Sequence, residues 1–103
     1  MLSIIIPARN EEHLEKTIDD VLEHAEGEIE VLVMLDGYRP DPEIPGKPGV
    51  SYHYFENPVG QRACVNWGVK LAKGKYIMKL DAHCSVGQGF DVILAKSVNT
   101  IGL

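Results

Sequence analysis

The chain has 103 residues, 45% of them apolar and 24% charged, which suits one soluble domain with a modest core and leaves no room for a second. No stretch approaches the ~20 apolar residues of a membrane span, and Met1 leads straight into strand-like sequence without a basic segment or cleavage site. Fifteen acids against ten bases give a net charge of −5, which argues against a nucleic-acid-binding face and makes any anionic ligand dependent on a local cation or on helix N-termini. Cys64 and Cys84 are too few for a disulfide framework and read as free thiols of a reducing, cytoplasmic compartment.

Leu2-Ser3-Ile4-Ile5-Ile6 is a β-branched apolar run of the kind that forms a central strand covered on both faces, and Pro7 stops its ladder. Asn10, followed by Glu11 and Glu12, has the character of a helix start, with a capping side chain and acids where the helix dipole favours them. Leu14, Ile18, Val21, Leu22 and Ala25 recur at helical spacing, and Gly27 is a stop signal. Residues 30–35 form a second apolar strand that ends in Asp36-Gly37, and a right-handed crossover lays it parallel to the first. Four prolines between Tyr38 and Gly49 make that segment a loop. Residues 50–55 alternate and carry more polar groups, as an edge strand does, with His53 facing solvent.

Asn57-Pro58 opens a second helix, on which Val65, Val69 and Ala72, together with Cys64, Trp67 and Leu71, form a broad buried stripe. Lys73-Gly74-Lys75 ends it. The run Tyr76-Ile77-Met78-Lys79-Leu80 then reads as a buried central strand, closing on Asp81-Ala82-His83-Cys84, and a last helix begins near Phe90. The order β-α-β-loop-β-α-β-α predicts an α/β fold, a three-layer, doubly wound, mostly parallel sheet. Neither a dinucleotide-binding Gly-x-Gly-x-x-Gly nor a phosphate-binding Walker loop is present.

Alternation along a strand points Asp81 and His83 the same way, about 7 Å apart, which lets the pair grip one cation. The plain alternative is that Asp81 caps a turn and His83 packs or faces solvent. In open α/β sheets ligands collect beyond the carboxyl ends of the strands, where Pro7 to Glu11, Asp36-Gly37 and Asp81 to His83 would converge. Such an edge suits a metal-dependent nucleotide site, with Asp36 accepting from the base or ribose and Asp81 and His83 holding a divalent ion against a diphosphate.

These segments resemble the N-terminal half of glycosyltransferases of the GT-A fold, most broadly family 2. Pro7-Ala8-Arg9-Asn10-Glu11 stands where the family has Pro-Ala-Tyr-Asn-Glu, and Val33-Met34-Leu35-Asp36-Gly37 stands where it has Val-Asp-Asp-Gly-Ser. Ala72-Lys73-Gly74-Lys75-Tyr76-Ile77 is similar to the family's Ala-x-Gly-x-Tyr-Ile, and Asp81-Ala82-His83-Cys84 resembles the metal motif in the Asp-x-His form of polypeptide N-acetylgalactosaminyltransferases. The resemblance covers essentially the whole chain.

It implies transfer of a sugar from a nucleotide diphosphate sugar, commonly a UDP-sugar, to an acceptor hydroxyl whose identity the sequence leaves open. In that picture Pro7, Ala8 and Arg9 line the base pocket within the motif that ends at Glu11, and Asp36 contacts uracil or ribose. Arg62 approaches the diphosphate, or else lies on a solvated surface. Asp81 and His83 reach Mn²⁺ or Mg²⁺, with the imidazole favouring manganese. Two departures stand out: Arg9 replaces a base-stacking aromatic residue, and Leu35 replaces the first acid of a pair. The acceptor-binding half and its general base are expected to lie beyond the chain, so no residue here takes that catalytic role. The alternative is a catalytically incomplete nucleotide-binding module or a homo-oligomeric scaffold.

Overall fold

The computed structural model describes residues 1–10, 12–40, 44–80 and 89. Strand β1 (Leu2–Ala8) is buried at every position, as an apolar run with no polar alternation requires. It pairs in parallel with β2 (Ile29–Asp36) on one side, Ile4 opposite Val31 and Ala8 opposite Leu35, and with β4 (Tyr76–Lys79) on the other, Ile4 opposite Met78. Strand β3 (Val50–Phe55) pairs in parallel with β2, so the sheet runs β3-β2-β1-β4 and β3 takes the expected edge. The four strands are all parallel, and the expected α/β architecture holds.

Strand alternation divides the core into two layers. Ile4, Ile6, Val31, Val33 and Leu35 face helix α1 (Leu14–His24), which contributes Leu14, Ile18 and Val21 to the same cluster. Ile5, Leu32 and Met34 face the opposite way and pack with Cys64 of helix α2 (Gln61–Leu71). The helices therefore cover the two faces of the sheet, giving the three layers that the sequence predicts.

Helix α1 starts four residues after the expected cap. Asn10 holds a left-handed conformation at φ 52°, which asparagine tolerates better than most residues, and the chain completes a turn before Leu14. The helix ends at His24, and Ala25 is already extended. Helix α2 likewise begins at Gln61, after Gly60 at φ 93°, rather than at Asn57-Pro58.

The broad apolar stripe expected on α2 is a narrow one. Only Cys64 and Gly68 of this helix are buried, whereas Trp67 is 50% exposed, with the Lys70 ammonium 5.0 Å from its ring. Gly68 supplies the reason: a Cβ there would lie 2.7 Å from Ile5 Cγ2, so the helix rests on β1 through a residue without a side chain. Val69 and Leu71, off that line of contact, are exposed as well. Strand β4 also differs from expectation. Among the described residues it pairs only with β1, and Ile77 and Lys79 are exposed while Tyr76 and Met78 are half-buried.

Side chains fasten the amino end of the sheet. The Ser3 hydroxyl donates to the Glu30 carboxylate, which also accepts from Lys73 N–H, and Gly74 N–H donates to Ser3 Oγ at 2.8 Å. Gly74 has no room for a Cβ there, which would sit 2.5 Å from Ser3 Oγ and 2.8 Å from the Met1 carbonyl oxygen. Burial works to raise the Glu30 pKa, but the hydrogen bonds from Ser3, Lys73 and Gly74 outweigh it and hold the carboxyl below its ordinary value. The predicted last helix and Cys84 lie outside the described residues.

Candidate functional site

Because the strands are parallel, their carboxyl ends form one edge of the sheet. The chain winds outward from β1 to β2 to β3 and then returns to the other side of β1 to lay down β4. This reversal makes the carboxyl ends of β1 and β4 a topological switch point, the position at which open α/β folds form their ligand-binding crevice. Pro7 and Ala8 end β1 on its rim, both buried, and Arg9 and Asn10 follow them into solvent. On the opposite rim, Leu80 N–H donates to the Ile5 carbonyl at 2.9 Å, which carries the β4 backbone to the crevice. Asp81 and His83, the expected metal pair, come next in sequence and lie outside the described residues, as does Glu11.

Asp36 ends β2 on the α2 face and is 4% exposed. Its carboxylate reaches across to the start of α2: Oδ1 accepts from Val59 N–H at 2.7 Å, and Gly60 N–H is shared between Oδ1 at 3.3 Å and Oδ2 at 3.2 Å. The Cys64 thiol, one turn into the helix, donates to the same carboxylate. A carboxylate has about four acceptor positions, so most of this buried charge is already satisfied. Burial, followed by the Asp36 charge and hydrogen bond, pushes the Cys64 thiol up to about 11, which keeps it protonated and unreactive at neutral pH.

The neighbouring glycine tightens this junction. Gly37 has φ 73°, and a Cβ on it would meet Pro58 Cγ at 2.6 Å and Pro58 N at 2.7 Å. Residues 58–60 are therefore clamped to the end of β2 by packing on one residue and by hydrogen bonding on the next. The clamp brings the beginning of α2, and with it the exposed Arg62, to the same sheet edge as Pro7, Ala8, Arg9 and Asp36. Sequence reasoning named Asp36 but missed its partners, because two of them are backbone amides. Gly60, after Asn57-Pro58, was the one readable sign of a special turn.

Among the described residues no group of three or more His, Cys, Asp or Glu side chains could hold a metal ion. The three described histidines have local partners instead: His13 Nε2 lies 3.3 Å from Glu12 Oε1, His24 Nδ1 lies 2.8 Å from the Asp20 carbonyl, and His53 Nε2 lies 2.9 Å from Ser51 Oγ. No helix among the described residues is long and apolar enough to cross a membrane.

The comparisons with known proteins agree with this architecture. The profile described as Glycosyl transferase family 2 matches residues 3–97. No curated protein matches the chain in sequence. Among solved structures, S. aureus TarS superposes with a TM-score of 0.76 at 16% identity, over 96% of this chain and 19% of the TarS chain. Its 1-349 form gives 0.78 at 16% identity, over 96% of this chain and 32% of that one. At that identity the likeness concerns the fold, and the chain spans about a third or less of either structure. With four described parallel strands whose order reverses at β1 and β4, and a profile match over nearly its whole length, the chain belongs to glycosyl transferase family 2 and has the GT-A fold.

Proposed function

We propose that the chain is a single donor-binding domain of a glycosyltransferase, which holds a nucleotide diphosphate sugar at the carboxyl edge of the sheet for transfer of the sugar to an acceptor hydroxyl. The observation that carries this reading is the convergence of Pro7, Ala8, Arg9, Asp36 and the start of α2 on one edge, beside the crevice between β1 and β4. In this reading the backbone of Pro7 to Arg9 lines the base pocket, and the Arg9 guanidinium stacks on the base where an aromatic residue is the usual choice. Asp36 fixes the start of α2 with most of its lone pairs and meets the base or ribose with what remains. Arg62 offers a fork of N–H donors to the diphosphate, which a chain of net charge −5 needs in order to hold an anion.

Asp81 and His83 would hold a divalent ion, Mn²⁺ in preference to Mg²⁺ because imidazole suits the former. When bound, such an ion acts as a Lewis acid that neutralises charge on the departing diphosphate. A cytoplasmic setting fits the buried, protonated Cys64.

Calorimetric titration of UDP into the chain, with and without Mn²⁺, tests the reading. Saturable binding that requires the metal and disappears in Asp81→Ala and His83→Ala is the expected result; absence of binding in both conditions rejects it. A second reading, a self-associating module, is favoured by the exposed Trp67, Val69, Leu71 and Ile77. Sedimentation equilibrium that gives a monomer at high concentration removes that one.

A further inference from the structure

A pocket of about 290 Å³ lies on the α1 side of the sheet, away from Asp36 and α2, and is lined by Leu35, Arg39, Pro40, Ile44, Tyr52 and Tyr54. Register places it: Leu35 is opposite Tyr54 and Val33 opposite Tyr52, so both tyrosines rise from β3 on the face that Leu35 shares with α1. Proline-rich segments are easily taken for mobile loops, yet the described part of this wall is fastened at three points. The Tyr52 hydroxyl donates to the Pro45 carbonyl at 3.4 Å, Val50 N–H donates to the Lys47 carbonyl at 3.2 Å, and Lys47 Nζ lies 2.9 Å from Asp19 and 3.7 Å from Glu15 on α1. The described residues held in this way are in place before any ligand arrives, which lowers the ordering cost of binding.

The chemistry of the lining is divided. Leu35, Pro40, Ile44 and the two rings offer an apolar body, whereas Arg39, the single charged member among the described residues, sits at the surface with its guanidinium 4.0 Å from the centre of the Tyr54 ring. Stacking fixes the plane of the guanidinium and leaves its N–H edge available. Among the described residues no carboxylate pairs with Arg39, in contrast to Lys47, whose charge is taken up by Asp19 and Glu15. An apolar cavity of this size with an oriented, exposed guanidinium at its rim is matched to a small ligand that has an aromatic or branched apolar body and one anionic group.

We propose that this pocket is a second ligand site, separate from the donor crevice, that takes an aryl phosphate or aryl carboxylate with its ring against Tyr52, Ile44 and Leu35 and its anionic group on Arg39. The inference does not depend on the reading of the chain as a donor domain, because none of the lining residues belongs to the proposed donor site.

NMR titration of the isotopically labelled chain with phenyl phosphate tests it, with phenol and inorganic phosphate as probes of each half of the ligand. The expected result is saturable shifts at Leu35, Arg39, Ile44, Tyr52 and Tyr54, with the Kd raised about tenfold in Arg39→Gln and at least about tenfold for either half-ligand. Arg39 is exposed, so that variant keeps the fold, and saturating UDP should leave the titration unchanged. The proposal is overturned by the absence of saturable shifts up to millimolar probe, by an unaltered Kd in Arg39→Gln, by inorganic phosphate binding as tightly as the ester, or by competition with UDP.

Discussion

Replacing Gly37 by alanine asks how firmly the end of β2 and the start of α2 are joined. Two costs act together. The residue sits at φ 73°, where an L side chain loses roughly 1–2 kcal/mol relative to glycine. Its new methyl group would also lie 2.6 Å from Pro58 Cγ and 2.7 Å from Pro58 N. Since one of these atoms is backbone, rotating a side chain cannot relieve the overlap, and overpacking of this kind typically costs about 1–3 kcal/mol. The combined loss is about 2–5 kcal/mol, a large part of the ~5–15 kcal/mol that holds an ordinary domain together. Gly46→Ala is the control, because no atom lies within 4 Å of a Cβ built there and its φ is outside the left-handed range. Urea denaturation followed by circular dichroism reads both variants, and a constant slope confirms that stability alone has changed. If Gly37→Ala falls within about 0.5 kcal/mol of the parent, or if Gly46→Ala loses as much, the clamp between β2 and α2 is not what the geometry implies.

Three further outcomes follow from side chains already described. Cys64, in a Cys84→Ser background, should resist iodoacetamide at pH 8 in the folded chain and react promptly in urea; rapid labelling of the native chain would contradict its burial. Because its folded pKa of about 11 lies above its ordinary value, stability that is intact below pH ~8.5 should decline as pH rises toward 11, and Cys64→Ala should flatten that decline. Glu30 has the opposite sign: its carboxyl is held below 4.5, so its contribution is complete above that pH and disappears as pH falls through the lower folded value. Acid titration of Glu30→Gln should accordingly show a shallower loss of stability below pH 4.5 than the parent, and equal slopes would refute the Ser3, Lys73 and Gly74 network as its cause. Arg62→Ala should weaken UDP binding about tenfold while leaving the urea midpoint unchanged, and a loss of midpoint with unaltered affinity would move Arg62 from the donor site to the fold.

The strands were legible because Ile4 to Ile6 and Val31 to Leu35 are runs with few other uses, and the parallel sheet followed from the helices between them. Two of the misreadings, the stripe on α2 and the cover of β4, have causes in packing. Helical spacing tells which residues of α2 align, but not how closely the helix approaches the sheet; Gly68 against Ile5 determines that, and leaves Trp67 outside. For β4, the apolar residues suggested a covered strand, while Lys75 and Lys79 marked the side that is open to solvent. At the site, Asp36 was visible as a strand-end carboxylate, but its engagement with Val59 and Gly60 joins residues 23 and 24 positions away through backbone groups that have no sequence signature.

The order of the strands also bears on how the molecule assembles. Strand β1 meets β2 after a single helical crossover, Leu2 opposite Ile29, but meets β4 only after nearly the whole described chain has been made, Leu2 opposite Tyr76. Closing the longer loop costs about 1 kcal/mol more in chain entropy, and among the described residues β4 recovers it with four paired residues and one neighbour. Among the described strands the β1–β4 seam should therefore zip after the β1–β2 seam and open before it, and its amides should exchange with solvent before those of β1–β2. A ligand seated at that edge would bind at the less durable of the two seams of β1, and would steady the sheet as well as occupy it.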